Sequence, residues 1–176
     1  MSVADRNPAD GSPAAGPLDG IRAVVLTCST RAAAGVYEDR GGALVVATLR
    51  GWGAEVDEAT VVPDGPSVGT ALREALDRDP DLLLTTGGTG LTPTDGTPEA
   101  TAPVLDRVVP GIAEAIRAAG VQAGVPTAML SRGLAGLAGR TLVVNLPGST
   151  GGVRDALAVL EPVLAHAVSQ AGGGDH

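Results

Sequence analysis

Leu82-Leu83-Leu84-Thr85-Thr86 opens directly into Gly87-Gly88-Thr89-Gly90, and the fold can be read outward from that junction. A short, continuous apolar run suits a strand buried on both faces, the kind found in parallel sheets. Three glycines in four positions then make a turn in which backbone N–H groups can surround an anion with no side chain in the way. An ordinary glycine turn has the same composition, since Gly and Pro supply 26 and 13 of the 176 residues, above the usual share. Downstream, Thr97-Pro98-Glu99 places a capping hydroxyl, a proline at the first helical position and an acid in the first turn, which predicts a helix running towards Val108 until Pro110-Gly111 breaks it.

Upstream, Val24 to Cys28 is a second apolar run ending in polar residues, a helix is expected between Asp39 and Arg50, and Glu55 to Val62 reads as a strand stopped by Pro63-Asp64-Gly65-Pro66. Val68, Leu72, Ala75 and Leu76 share one helical face that Asp79-Pro80 ends. Beyond the glycine loop, Ile112, Ile116 and Ala119 give a further amphipathic turn or two, Thr127 to Leu130 and Thr141 to Asn145 read as strands, and Val153, Leu157, Leu160 and Leu164 form the stripe of a last helix. Alternating strands and helices predict a three-layer α/β/α sandwich with a mainly parallel central sheet. Ligands of such sheets bind at the carboxyl ends of strands, so the site is expected in the loops after Cys28, Thr86 and Asn145.

Composition narrows the chemistry. All twelve cationic side chains are Arg and the net charge is -8, so a basic footprint for nucleic acid is missing. Without Lys there is no Schiff-base chemistry and no phosphate-loop lysine, and a bound phosphate must rely on backbone N–H groups, Arg or a metal. The single Cys28 excludes an intramolecular disulfide and suits a reducing cytoplasm. With 44% hydrophobic and 18% charged residues and no apolar run of membrane-spanning length, we expect one domain over 18–171, between a disordered tail (1–17) and a flexible end (172–176). His166 and Cys28 receive no chemical role. Five residues after Gly90, Asp95 sets a carboxylate beside the expected anion site, which would repel phosphate unless a divalent cation such as Mg²⁺ lay between them.

Taken in order, Thr85 to Gly90, Asp95, Thr97-Pro98-Glu99-Ala100-Thr101, Pro110-Gly111, Pro126 to Arg132 and Asn145-Leu146-Pro147-Gly148 resemble the Mog/MoaB molybdopterin-binding family, and Ser29, Arg31 and Gly35 to Asp39 are similar to its first loop. The resemblance covers roughly 21–168. It implies an adenylyltransferase of molybdenum cofactor synthesis that uses Mg²⁺ and ATP and joins AMP to the terminal phosphate of molybdopterin. It implies Asp64 and Asp95 as catalytic acids and metal ligands, although Asp64 among prolines also suits a plain turn. Substrate contacts are implied at Ser29, Arg31, Tyr37, Thr86, Gly87, Gly88, Thr89, Gly90, Ser131, Arg132, Asn145, Pro147 and Gly148; Arg31 and Arg132 would clamp phosphate. A homotrimer, or a hexamer, and contact with a molybdenum-insertion protein are further implications. Thr30 stands where the family commonly has Asp, and Ser149-Thr150 replace a Pro-Lys pair. Two other readings stay open: a molybdopterin carrier without transfer activity, and a generic α/β nucleotide-binding domain.

Overall fold

The computed structural model describes residues 16–174. In chain order the elements are β1 (Arg22–Cys28), α1 (Thr30–Ala33), α2 (Arg40–Gly51), β2 (Glu55–Val56), β3 (Thr60–Val62), α3 (Pro66–Leu76), β4 (Leu82–Thr86), α4 (Thr97–Thr101), β5 (Arg107–Val108), α5 (Pro110–Gln122), β6 (Ala135–Ala138), β7 (Thr141–Leu146) and α6 (Thr150–Ala171). The sheet runs β2-β1-β4-β7-β6-β5, with β3 also beside β1. Strands β1 to β4 and β7 pair in parallel, while β5 and β6 are antiparallel. It is the expected α/β/α sandwich with a mainly parallel sheet.

The apolar runs are explained by burial on both faces. Ala23 and Val25 of β1, Leu82 and Leu84 of β4, and Leu142, Val144 and Leu146 of β7 pack under α2 and α6 with Val45, Leu49, Val153, Leu157, Leu160 and Leu164. Their neighbours Val24, Leu26, Cys28, Leu83 and Val143 point the other way, onto Val68, Ala71, Leu72 and Ala75 of α3. The two-residue period of a strand thus divides one hydrophobic run between two cores. Register aligns Thr27 with Thr86 and Thr86 with Leu146, so the carboxyl ends of three parallel strands lie side by side. From β1 the chain goes to one edge (β2, β3) and returns through α3 to β4 on its other side, which puts a topological switch between β1 and β4, where α/β sheets form their ligand crevice.

Several local expectations are corrected. Glu55 to Val62 is two short strands, not one. The helix from Thr97 stops at Thr101, passes through a 3₁₀ turn at Ala102–Val104 and gives way to β5, while Pro110 begins α5 at its first helical position instead of only breaking a helix. Thr127 to Leu130 belongs to a 3₁₀ helix, Pro126–Leu130, led by another first-turn proline, and the strand that follows it is the Ala- and Gly-rich β6. Most of the expected tail lies outside the described residues; of its last part, Gly16 accepts a hydrogen bond from Asp19 N–H at 3.2 Å. At the other end, Gly172, Gly173 and Gly174 donate back to Val168, Gln170 and Ser169 carbonyls and close α6, which needs the positive φ of +92° at Gly173. Residues 175–176 lie outside the described residues. No helix among the described residues is long and apolar enough to cross a membrane.

Candidate active site

Each strand end delivers part of one site. After β1, Ser29 caps α1 by accepting from Ala32 N–H, and its hydroxyl lies 2.7 Å from the Tyr37 hydroxyl. Arg31 stacks over the Tyr37 ring at 5.2 Å, a cation–π contact that steadies the ring. Asp39 caps α2 with one oxygen on Gly42 N–H and takes the Thr27 hydroxyl at 2.7 Å on the other. After β3, Asp64 Oδ2 accepts the N–H and the hydroxyl of Thr30, each at 2.8 Å.

After β4 the glycine loop needs its glycines. Gly87 and Gly88 have φ of +92° and +63°; a Cβ on Gly87 would lie 2.3 Å from the Cys28 carbonyl oxygen, and one on Gly88 2.3 Å from Thr97 Oγ1 and 3.2 Å from Asp64 Oδ1. Thr97 fastens the loop, its hydroxyl donating to Gly87 O at 2.9 Å and its N–H to Gly88 O at 3.1 Å. Thr86 donates to Pro147 O at 2.7 Å and ties this loop to the one after β7. Among the described residues, the N–H groups of Gly88, Thr89 and Gly90 donate no hydrogen bond. Successive bare amides are what an anion cradle requires.

Two cavities meet at this loop. One, of about 440 Å³, is lined by Ser29, Tyr37, Asp39, Arg40, Asp64, Thr86, Gly87, Gly88, Asp95, Gly148 and Thr150, with Thr27, Cys28, Glu38 and Gly41. The other, of about 620 Å³, shares Gly88, Asp95 and Gly148 and adds Thr89, Gly90, Ile116, Arg117, Val125, Ala128, Leu130, Ser131, Pro147, Ser149 and Asp155 among others. The first cavity is lined largely by polar residues and glycine, and the second has an apolar wall from α5 and the 3₁₀ helix. The N-termini of α2 and α6 border them, and neither helix has an acid inside its first turn. The α2 end is already met by its Asp39 cap, whereas the α6 end, capped by the neutral Ser149, is left to meet an outside anion.

Asp64 and Asp95 therefore stand in one cavity wall, with Ser29, Tyr37, Thr86 and the glycines. Three expected contact residues lie elsewhere. Arg132 lines neither cavity: its guanidinium donates to Gly90 O at 2.8 Å and Asp95 O at 2.7 Å and pairs with Glu99, so it braces the loop from behind. That hydrogen bond from Arg132 holds the exposed Glu99 carboxyl below its ordinary range. Arg31 is occupied with Tyr37. Asn145 is buried, and its amide is fully used, accepting Leu134 N–H and donating to Thr85 and Thr101 hydroxyls, all at 3.0 Å. Asn145→Leu should cost about 2–4 kcal/mol in chemical denaturation, because it removes the partner of the Leu134 N–H and of the buried Thr85 and Thr101 hydroxyls at once; a loss below about 0.5 kcal/mol would show that the network is not holding β7 to its neighbours.

Sequence reasoning missed Asp39, Arg40, Thr97 and Arg117. Asp39 was visible as a cap before a helical pattern, whereas nothing in the sequence places Arg117, in the middle of α5, on the wall of the second cavity with its guanidinium on the Ser131 and Gly133 carbonyls. Cys28 is buried at the end of β1, and desolvation, partly opposed by a hydrogen bond with Thr97 and reinforced by nearby Asp64, pushes its thiol from 9.0 up to about 11. Its thiolate fraction at neutral pH is then about 100-fold below that of a free cysteine. We expect Cys28 in the folded protein to resist iodoacetamide at pH 7.5 and to react on unfolding; rapid labelling of the native protein would contradict this.

A parallel α/β sheet with bare amides and two carboxylates at its switch point defines an anion-binding α/β domain. The family model described as "Probable molybdopterin binding domain" matches residues 24–166, and the chain belongs to this Mog/MoaB family. It is 42% identical over 162 residues to the molybdenum cofactor biosynthesis bifunctional protein of Synechococcus elongatus, covering 92% of this chain and 50% of that one. Against the molybdopterin adenylyltransferase of Helicobacter pylori strain J99 it is 36% identical over 148 residues, covering 82% and 84%. The solved Mog protein of Mycobacterium ulcerans superposes with a TM-score of 0.83 at 52% identity, covering 86% of this chain and 99% of that one. The chain spans about half the length of the bifunctional relatives.

Proposed function

We propose that this protein acts in molybdenum cofactor biosynthesis as a molybdopterin adenylyltransferase. The observation that carries the reading is the junction of the two cavities at Gly88, Asp95 and Gly148, with Asp64 on the wall of the first cavity, Thr89 and Gly90 on the wall of the second, and the N–H groups of Gly88, Thr89 and Gly90 free of hydrogen bonds among the described residues. Two anionic reactants, one in each cavity, would meet there. An oxygen of the terminal phosphate of molybdopterin attacks the α-phosphorus of ATP; a P–O–P bond forms, the bond from the α-phosphorus to the bridging oxygen breaks, and pyrophosphate leaves with the electron pair. The substrate supplies the nucleophile, so the protein contributes position and charge stabilisation and needs no nucleophilic side chain.

The residues present suit that task. Bare amides of the glycine loop and the α6 N-terminus can donate to phosphate oxygens, Arg40 and Arg117 add positive charge, one to each cavity, and Tyr37 lines the first cavity. The donor set also fits Mg²⁺: of the carboxylates that line the first cavity, Asp39 spends both oxygens on Gly42 N–H and Thr27, while Asp64 and Asp95 each keep one oxygen without a donor among the described residues, in which no cluster of three or more His, Cys, Asp or Glu could form a closed metal cage. Mg²⁺ commonly takes one or two carboxylates and completes its shell with substrate phosphates and water. Asp64 and Asp95 would hold it, and when bound it neutralises phosphate charge. Pyrophosphate release from Mg-ATP and molybdopterin by the purified protein tests the reading. Tight molybdopterin binding without pyrophosphate would identify a carrier instead.

A further inference from the structure

Asp64 and Asp95 come from different loops, yet each is held in the same way. Thr30 gives its N–H and its hydroxyl to Asp64 Oδ2, both at 2.8 Å, and takes Asp64 N–H back on Oγ1 at 3.1 Å. Thr92 gives its N–H at 3.0 Å and its hydroxyl at 2.7 Å to Asp95 Oδ2, with Asp95 N–H returning to Thr92 O at 3.0 Å. In both acids Oδ2 is satisfied twice by one threonine, while Oδ1 receives no hydrogen bond among the described residues. Asp64 Oδ1 faces the glycine loop, 3.2 Å from where a Cβ on Gly88 would sit, whereas at Asp95 it is the clamped Oδ2 that lies against the loop, 2.8 Å from where a Cβ on Gly90 would sit, and Oδ1 is the oxygen left without a donor.

A carboxylate with both oxygens free can rotate and present either one. Two charge-assisted bonds on one oxygen fix the plane and leave the other as the acceptor. We infer that Thr30 and Thr92 are positioning residues, paired threonine clamps that select Oδ1 of each acid for a divalent cation or the phosphates it accompanies. The inference rests on the adenylyl-transfer reading and deepens it. Both threonines are exposed and neither belongs to a hydrophobic core, so packing does not account for them. Thr30 donates a hydroxyl to Asp64 without adding a further negative charge to a cavity already lined by Glu38, Asp39, Asp64 and Asp95.

The test uses the full chain with Thr30→Val and Thr92→Val, which keep shape and N–H but lose the hydroxyl, and Thr30→Ser and Thr92→Ser, which restore it. Mn²⁺ binding is followed by electron paramagnetic resonance of free Mn²⁺ in the presence of ATP, and pyrophosphate release alongside. Each Val variant should raise the Mn²⁺ half-saturation concentration and lower kcat by about tenfold, the loss expected for one charge-assisted bond, and each Ser variant should return to within about twofold of wild type. Val variants that bind Mn²⁺ like wild type, Ser variants as defective as Val, or a wild type that holds no Mn²⁺ with ATP would each overturn the clamps. Wild type that binds Mn²⁺ but releases no pyrophosphate, with the Val variants losing Mn²⁺, sinks the transfer reaction and leaves the clamps standing.

Discussion

Asp95→Ala is expected to lower kcat for pyrophosphate release by about 10³-fold while molybdopterin still binds. Asp95 sits where the two cavities meet, so on the adenylyl-transfer reading its charge would act on the reacting phosphates and not on the remote parts of either substrate. Removing a group that stabilises only the transition state lowers kcat and kcat/KM together, with losses of 10²–10³ typical for one preorganised contact. Ala also deletes the acceptor for the Thr92 N–H and hydroxyl and could loosen the loop. Asp95→Asn separates the two effects, because its amide oxygen keeps an acceptor for Thr92 while the charge is gone. Near-equal losses in Ala and Asn identify charge as the requirement. A variant within about tenfold of wild type would remove Asp95 from the chemistry.

Gly87→Ala should show the largest effect on folding, a loss of about 2–6 kcal/mol. Two costs add: a positive φ of +92°, and a Cβ placed 2.3 Å from the Cys28 carbonyl oxygen. The first is worth about 1–3 kcal/mol and the second, as an overpacking clash against backbone, about 1–3 kcal/mol. The clashing atom belongs to β1, so relief requires parting β1 from β4 at the crevice itself. Urea denaturation should report the loss, and activity should fall even in the folded fraction because Gly88 and the bare amides shift with Gly87. A variant as stable as wild type would show that the loop relaxes freely, which is incompatible with a rigid cradle.

Much of this was legible before the fold was described. Leu82-Leu83-Leu84 and Val24-Val25-Leu26 announced strands buried on both faces, and the Val153, Leu157, Leu160, Leu164 stripe announced α6, because burial writes itself as periodicity. The acids and glycines of the site were legible as motifs. Prolines were read less well: Pro110 and Pro126 open helical segments here, and from sequence the same residue also serves as a stop. Strand β6, Ala135 to Ala138, has little intrinsic strand preference and forms because β7 and β5 pair with it on either side. Arg132 and Asn145 carried the right motif and the wrong role, since a polar side chain near a strand end can face a ligand or fasten the loops that face it, and only geometry separates the two. Arg117 carried no signal, as its place on the wall of the second cavity depends on how α5 packs against the sheet.

The central claim, that the shared cavity wall joins two phosphates, is tested most directly with ATP labelled in its α-phosphate. We expect the label to move to molybdopterin, one for each pyrophosphate released, with dependence on Asp95. Label that remains in ATP, or that appears only as free AMP, would contradict the account.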